Sequence, residues 1–223
     1  MIAGIRLKIC GLTTLVDAEA ADAIGADFLG FILHPQSPRH IALSQFAAMA
    51  GRLPPRRKVA VAVMPSVDDL RAWREAGFDE FQVHFPLETT EDVLAAWSSA
   101  VGRDHLWLAP KVPPGVVFPE RVLAHADTVL WDTYAPGSFG GTGQTGDWAG
   151  YRAARATHPD RTWILAGGLS PENIGAALAA TGARFVDANS GVEQAPGVKA
   201  PARLRAFAEA LRAGSRGSAL GVE

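Results

Sequence analysis

Short apolar runs rich in β-branched and aromatic residues recur along the chain: IRLKIC (5–10), DFLGFIL (27–33), KVAVAVM (58–64), EFQVHF (80–85), LWLAPKV (106–112), TVLWD (128–132), TWILAG (162–167) and RFVDAN (184–189). Most are apolar at successive positions rather than at alternate ones. Strands of a parallel sheet covered on both faces have that signature.

Helical periodicity fills the intervals. TLVDAEAADAIGAD places Val16, Ala20, Ala23 and Ile24 on one face, with Gly25 as a C-terminal stop. SVDDLRAWREAG has Ser66 as an N-cap, two acids in its first turn and Gly77 after its end. SPENIGAALAATGA pairs an N-cap Ser170 with Pro171 at the first helical position, and Gly182 ends it. PARLRAFAEALRAG aligns Leu204, Phe207, Ala208 and Leu211 on one stripe. The segment 113–126 is Pro-rich and predicts only a short helix around 119–125.

Strand alternating with helix implies parallel pairing, because parallel strands need crossovers. Eight such units in 223 residues predict an α/β chain folded as one (β/α)8 TIM barrel over residues 1–213, with 214–223 as a frayed tail. A doubly wound open sheet is the alternative architecture.

Composition narrows the function. Hydrophobic residues make up 48% and charged residues 20%, the balance of a soluble globular protein. The formal net charge of −2 argues against nucleic acid or an anionic membrane as partner, so any anionic ligand is held by local geometry. The single cysteine allows no internal disulfide and suggests a reducing, cytoplasmic compartment. The N-terminus enters a strand pattern without an apolar signal region, and no run is long enough to span a bilayer. No Cys or His spacing suggests a metal.

A barrel of this type carries its chemistry at the C-terminal ends of the strands. That rule selects Cys10 and Gly11 after the first strand, Arg39 after the second, His84 on the fourth and Asp132 on the sixth. It further selects Gly167 and Gly168 after the seventh strand, and Asp187, Asn189, Ser190 and Gly191 on and after the eighth. Three glycine-bearing stretches, GSFGGTGQTGDW (137–148), AGGLSPEN (166–173) and NSGVE (189–193), follow the last three strands. Glycines admit close backbone approach, and exposed N–H groups at turns bind anions, so these loops are a candidate phosphate site. Asp132, ending a buried strand, suits a general acid or an Asx turn. Arg39 offers a planar fork suited to a carboxylate, or is a solvated surface group. Cys10 is either an inert core thiol or a reactive group with the Lys8 cation close by. His84 fits a core histidine or a substrate contact. Asp187 fits a substrate contact or an anchor for backbone N–H groups.

KICGLT, GADFLGFIL with the following SPR, FGGTGQTGDW, LAGGLSPENI and VDANSGVEQAPGVK together, in register from about residue 5 to 210, resemble the phosphoribosylanthranilate isomerase family. The resemblance implies a (β/α)8 barrel that catalyses an Amadori rearrangement in tryptophan biosynthesis without a metal or cofactor. It implies Cys10 as general base, Asp132 as general acid and Arg39 as the partner of the anthranilate carboxylate. Gly140, Gly141, Thr142 and Gly143, with Gly167, Gly168, Asn189, Ser190 and Gly191, are implied to hold the sugar phosphate. The chain departs from the family pattern at FQVHFP, where Phe85 and Pro86 stand in place of a glycine and its loop start. It departs again at Asn189, in place of a serine, and at Ala200, in place of an aspartate. A related sugar-phosphate aldose-ketose isomerase and a non-catalytic phosphate-ligand-binding paralogue are the competing readings. A monomer or weak homodimer is expected.

Overall fold

The structure, a computed structural model, describes residues 1–113, 115–132 and 147–218. The eight apolar runs form strands β1 (Arg6–Ile9), β2 (Phe28–Ile32), β3 (Arg57–Val63), β4 (Glu80–Pro86), β5 (Leu106–Lys111), β6 (Thr128–Trp131), β7 (Thr162–Leu165) and β8 (Phe185–Ala188). They close into a barrel in sequence order. β8 returns to pair in parallel with β1, placing Lys8 opposite Asp187. That closure excludes the open sheet.

Among the described residues, seven α-helices surround the barrel: α1 (Leu15–Ala23), α2 (Leu43–Ala50), α3 (Val67–Glu75), α4 (Glu91–Val101), α5 (Trp148–Thr157), α6 (Ile174–Thr181) and α7 (Pro201–Ser218). Between β5 and β6 the connection is the short 3-10 helix Glu120–Ala124, as its prolines predict. α3 is started by a capping box: Ser66 Oγ accepts from the Asp69 amide at 3.1 Å, and Asp69 Oδ2 accepts from the Ser66 amide at 3.0 Å. Leu204, Phe207, Ala208 and Leu211 of α7 are buried, as their spacing requires.

Two local expectations need correction. In α1, Val16 is 71% exposed, and Ala18 and Ala21 are the buried face. Thr14 Oγ1 accepts from the Asp17 amide and so fixes where the helix begins, and its rotational phase turns Val16 outward. α6 starts at Ile174 with Asn173 at its N-cap position, not at Ser170. The Asn173 side chain accepts from the Ser170 amide and donates to the Gly168 carbonyl, holding residues 170–173 as a separate turn.

The apolar core has two parts. One lies between strands and helices. The other fills the lumen, with Phe28, Val59, Val61, Trp107, Leu130, Ile164 and Phe185. At the N-terminal end of the strands Phe28 stacks on Phe185 at 5.0 Å and meets the edge of Trp107 at 5.1 Å. This floor seals one end of the barrel, so any cavity opens at the other. An antiparallel hairpin that the sequence reading does not anticipate follows β8: β9 (Glu193–Ala195) and β10 (Val198–Lys199). Among the described residues, no helix is long and apolar enough to cross a membrane.

Candidate active site

A cavity of about 400 Å³ opens at the C-terminal end of the strands. Cys10, Arg39, His84, Asp132, Gly167, Gly168, Asp187, Asn189 and Ser190 line it. The topology therefore gathers side chains from β1, β4, β6, β7 and β8 and from the loop after β2. Gly140, Gly141, Thr142 and Gly143 lie outside the described residues.

Lys8 of β1 and Cys10 just beyond its end both enter the lumen. Lys8 is fully buried and donates to Asp187 Oδ2 at 2.7 Å. It fits because β2 has Gly30 beside it: a Cβ there would lie 2.9 Å from Lys8 Cε and 3.1 Å from Cys10 Cα. This explains a glycine in the middle of an apolar strand. Burial disfavours the Lys8 ammonium, yet Asp187 and then Cys10 outweigh it and raise its pKa. Burial also pushes the Asp187 carboxyl up, opposed by Lys8, and Asp187 Oδ1 has no hydrogen-bond partner.

Cys10 follows the last residue of β1 and is 4% exposed. Burial pushes its thiol up, Lys8 pulls it back and Asp187 pushes it up again, for a net rise. The next residue, Gly11, has φ +71°, and a Cβ there would meet Asn189 Oδ1 at 2.5 Å and Arg39 Cδ at 2.8 Å. Only glycine lets β1 turn away beneath the arginine stem.

Arg39 sits on a tight loop in which Ser37 Oγ accepts from its amide at 3.1 Å. Its guanidinium makes a bidentate pair with Glu193. Nε lies 3.0 and 3.1 Å from the two carboxylate oxygens, and Nη2 lies 2.8 Å from Oε2. Lys199, also buried, reaches Glu193 Oε1 at 2.9 Å and Asn189 Oδ1 at 3.0 Å. Burial opposes the Glu193 charge, but Arg39 and Lys199 together hold its carboxyl below the ordinary value.

His84 lies within β4 rather than at its end, since pairing with β5 continues to Pro86. Its Nε2 is 2.8 Å from Gln82 Nε2. Burial, followed by Lys8 and His34, pushes its pKa down to about 3, so the ring is neutral at working pH.

Gly167 and Gly168 have successive positive φ values of +86° and +61°, a turn that L side chains resist. Gly191 does not line the cavity. A Cβ on it would sit 2.0 Å from the Leu169 carbonyl oxygen, so the turn after β8 packs directly on the turn after β7.

Sequence reasoning did not find Gln82, which lines the cavity, nor Glu193, Lys199 and Gly30, which pack behind its lining. Glu193 and Arg39 are 154 positions apart, and no local pattern links them. Gly30 carried a usable signal, a glycine inside a strand, which marks close approach of another group.

Known proteins share this chain's sequence pattern and its fold. A family model described as N-(5'-phosphoribosyl)anthranilate (PRA) isomerase matches residues 7–210. The N-(5'-phosphoribosyl)anthranilate isomerase of Cereibacter sphaeroides is 40% identical over 222 residues, covering 95% of this chain and all of that protein. The crystal structure of the Thermus thermophilus phosphoribosyl anthranilate isomerase superposes with a TM-score of 0.78 at 35% identity, covering 94% and 99% of the two chains. A phosphoribosyl anthranilate isomerase in complex with reduced 1-(o-carboxyphenylamino)-1-deoxyribulose 5-phosphate superposes with a TM-score of 0.73 at 26% identity, covering 94% and 99%.

Proposed function

Because the chain belongs to the N-(5'-phosphoribosyl)anthranilate isomerase family, we propose that Cys10 and Asp132 are its base and acid, and that Arg39 holds the substrate's carboxylate. The activity is the isomerisation of N-(5'-phosphoribosyl)anthranilate to 1-(o-carboxyphenylamino)-1-deoxyribulose 5-phosphate, a step of tryptophan biosynthesis. One observation carries the assignment of roles: a thiol, a carboxylate, an arginine and the Gly167–Gly168 turn, from elements distant in sequence, share one cavity.

The chemistry asks for two groups in opposite starting protonation states. Asp132, as the acid, gives a proton to the furanose ring oxygen. The ring C–O bond breaks, and the anilinic nitrogen supplies the electron pair that forms a protonated Schiff base. Cys10, as thiolate, then takes the proton from C2 of the sugar. The C–H pair becomes the double bond of an enolamine, whose tautomerisation gives the amino-ketose. No atom is gained or lost. Lys8 supplies the positive charge beside the thiolate. Gly167, Gly168, Asn189 and Ser190 form the phosphate cradle, with Asp187 and His84 toward the ribose. We assign the enzyme to the cytoplasm, where its lone thiol stays reduced, as a monomer or weak homodimer.

The test is turnover by purified Cys10→Ala and Asp132→Asn. Each is expected to fall by ~10²–10⁴-fold with circular dichroism unchanged, since that is the usual contribution of a positioned acid or base. Normal turnover by either variant sinks that residue's role. Wild type, but neither variant, should restore growth to a tryptophan auxotroph lacking this step.

A further inference from the structure

We propose that Glu193 is a positioning residue that sets the specificity of this site for a carboxylated aryl group, acting through Arg39. The inference rests on the reading that Arg39 meets the substrate carboxylate.

An arginine has two edges on which a carboxylate can dock side by side, one at Nε and a terminal nitrogen and one at the two terminal nitrogens. Glu193 occupies the first with three contacts of 2.8 to 3.1 Å. Nη1 donates no hydrogen bond to any described residue, so the terminal edge is the one left for a ligand. A flexible arginine would sample many rotamers, and ordering it on binding would reduce affinity. Here its plane is fixed in advance.

The clamp is itself anchored. Glu193 Oε1 accepts from Lys199 at 2.9 Å and from the Gly197 amide at 3.2 Å. Thr13, three residues beyond Cys10, donates to the Gly197 carbonyl at 2.7 Å and pins the β9–β10 hairpin to the loop after β1. Arg39 and Glu193 side chains are only 11% and 4% exposed, so water does not compete strongly for the pair. Glu193 also offsets the charges of Arg39 and Lys199. Without it, the Arg39 and Lys199 cations would repel each other with no carboxylate between them, and Arg39 would lose its fixed plane. Glu193 therefore lies behind the recognition group and outside the reacting atoms, and its removal should weaken binding more than turnover.

The experiment compares two substrates made from ribose 5-phosphate: N-(5'-phosphoribosyl)anthranilate, and the N-(5'-phosphoribosyl) adduct of aniline, which lacks the carboxylate. Glu193→Gln is expected to raise KM for the first by ~10–100-fold, the range for a lost hydrogen bond to a charged group, with kcat within a few-fold. Its kcat/KM for the aniline adduct should match wild type, and that activity also reports folding. Lys199→Met should shift KM in the same direction by less. Should Glu193→Gln fail to fold, Glu193→Asp must show a smaller but equally selective rise. Equal losses on both substrates, or no loss, overturn the inference. Arg39→Ala separates the two ideas. If it is selective for the carboxylated substrate while Glu193→Gln is not, only the role of Glu193 fails. If Arg39→Ala is itself unselective, the reading of Arg39 fails and that of Glu193 with it.

Discussion

Lys8 Nζ lies 2.7 Å from Asp187 Oδ2 across the β1–β8 seam, and the barrel buries both groups. Asp187 lines the cavity, and Lys8, fully buried, supports it from within the lumen. Breaking such a pair from one side leaves an uncompensated charge. Lys8→Met is therefore expected to lower stability by about 3–5 kcal/mol, measured by equilibrium urea unfolding. A loss under about 1 kcal/mol would mean that the pair behaves as a solvated one.

The Cys10 thiol is pushed up by burial more than Lys8 pulls it down. With Cys10 as the proposed base, kcat/KM of the free enzyme follows its protonation, and the thiolate is the active form under that proposal. kcat/KM is thus expected to keep rising through the alkaline range without a neutral plateau, and the rate of iodoacetamide alkylation should follow the same curve. Lys8→Met should move both further to alkaline pH. A profile flat from about pH 6 to 9 would contradict Cys10 as a base titrating in the free enzyme.

Gly191 holds the turns after β7 and β8 in backbone contact. Gly191→Ala must push them apart, because the carbonyl of Leu169 cannot yield as a side-chain end can. The expected result is a rise in KM on the order of tenfold or more, since displacement of ligand-positioning groups by an ångström has effects of that size or greater. Inorganic phosphate should weaken in parallel as a competitive inhibitor. Unchanged values for both would remove these turns from the phosphate site.

Far from the cavity, Glu80 at the start of β4 is 2% exposed, and its Oε2 has no hydrogen-bond partner. Burial pushes its carboxyl up to about 7 from 4.5, despite Arg57. Between those two values the native state keeps a proton that the unfolded chain has released. Stability from this group is fully present below pH 4.5 and is lost as pH rises through about 7. Glu80→Gln should flatten that slope and unfold at a higher temperature than wild type at about pH 8, by differential scanning calorimetry. A wild-type midpoint that rises from pH 5 to 8 by virtue of Glu80 would reverse the sign and refute the account.

Strand count and order were legible because strands covered on both faces must be apolar at nearly every position. The start of α3 was legible because a capping box lies within four residues. The face of α1 was misread: its apolar residues are mostly alanine, and the true phase is set by the Thr14 cap. The start of α6 was misread because a side-chain amide, that of Asn173, holds a turn where the proline signal suggested helix. In the site, residues at strand ends could be found by position. Glu193 and Lys199 could not, because their partners come from other parts of the chain.

By itself the sequence determined eight covered strands, the helices between most of them, and the side chains at their ends, including Cys10, Asp132 and Arg39. Periodicity and local caps suffice for that, because they depend on neighbours along the chain. The tertiary structure alone decided the register that sets Lys8 against Asp187, the clearance at Gly30 that lets a lysine into the lumen, and the Glu193 grip on Arg39. Those are contacts between groups distant in sequence, and their energies exist only once the barrel has closed and excluded water from between them.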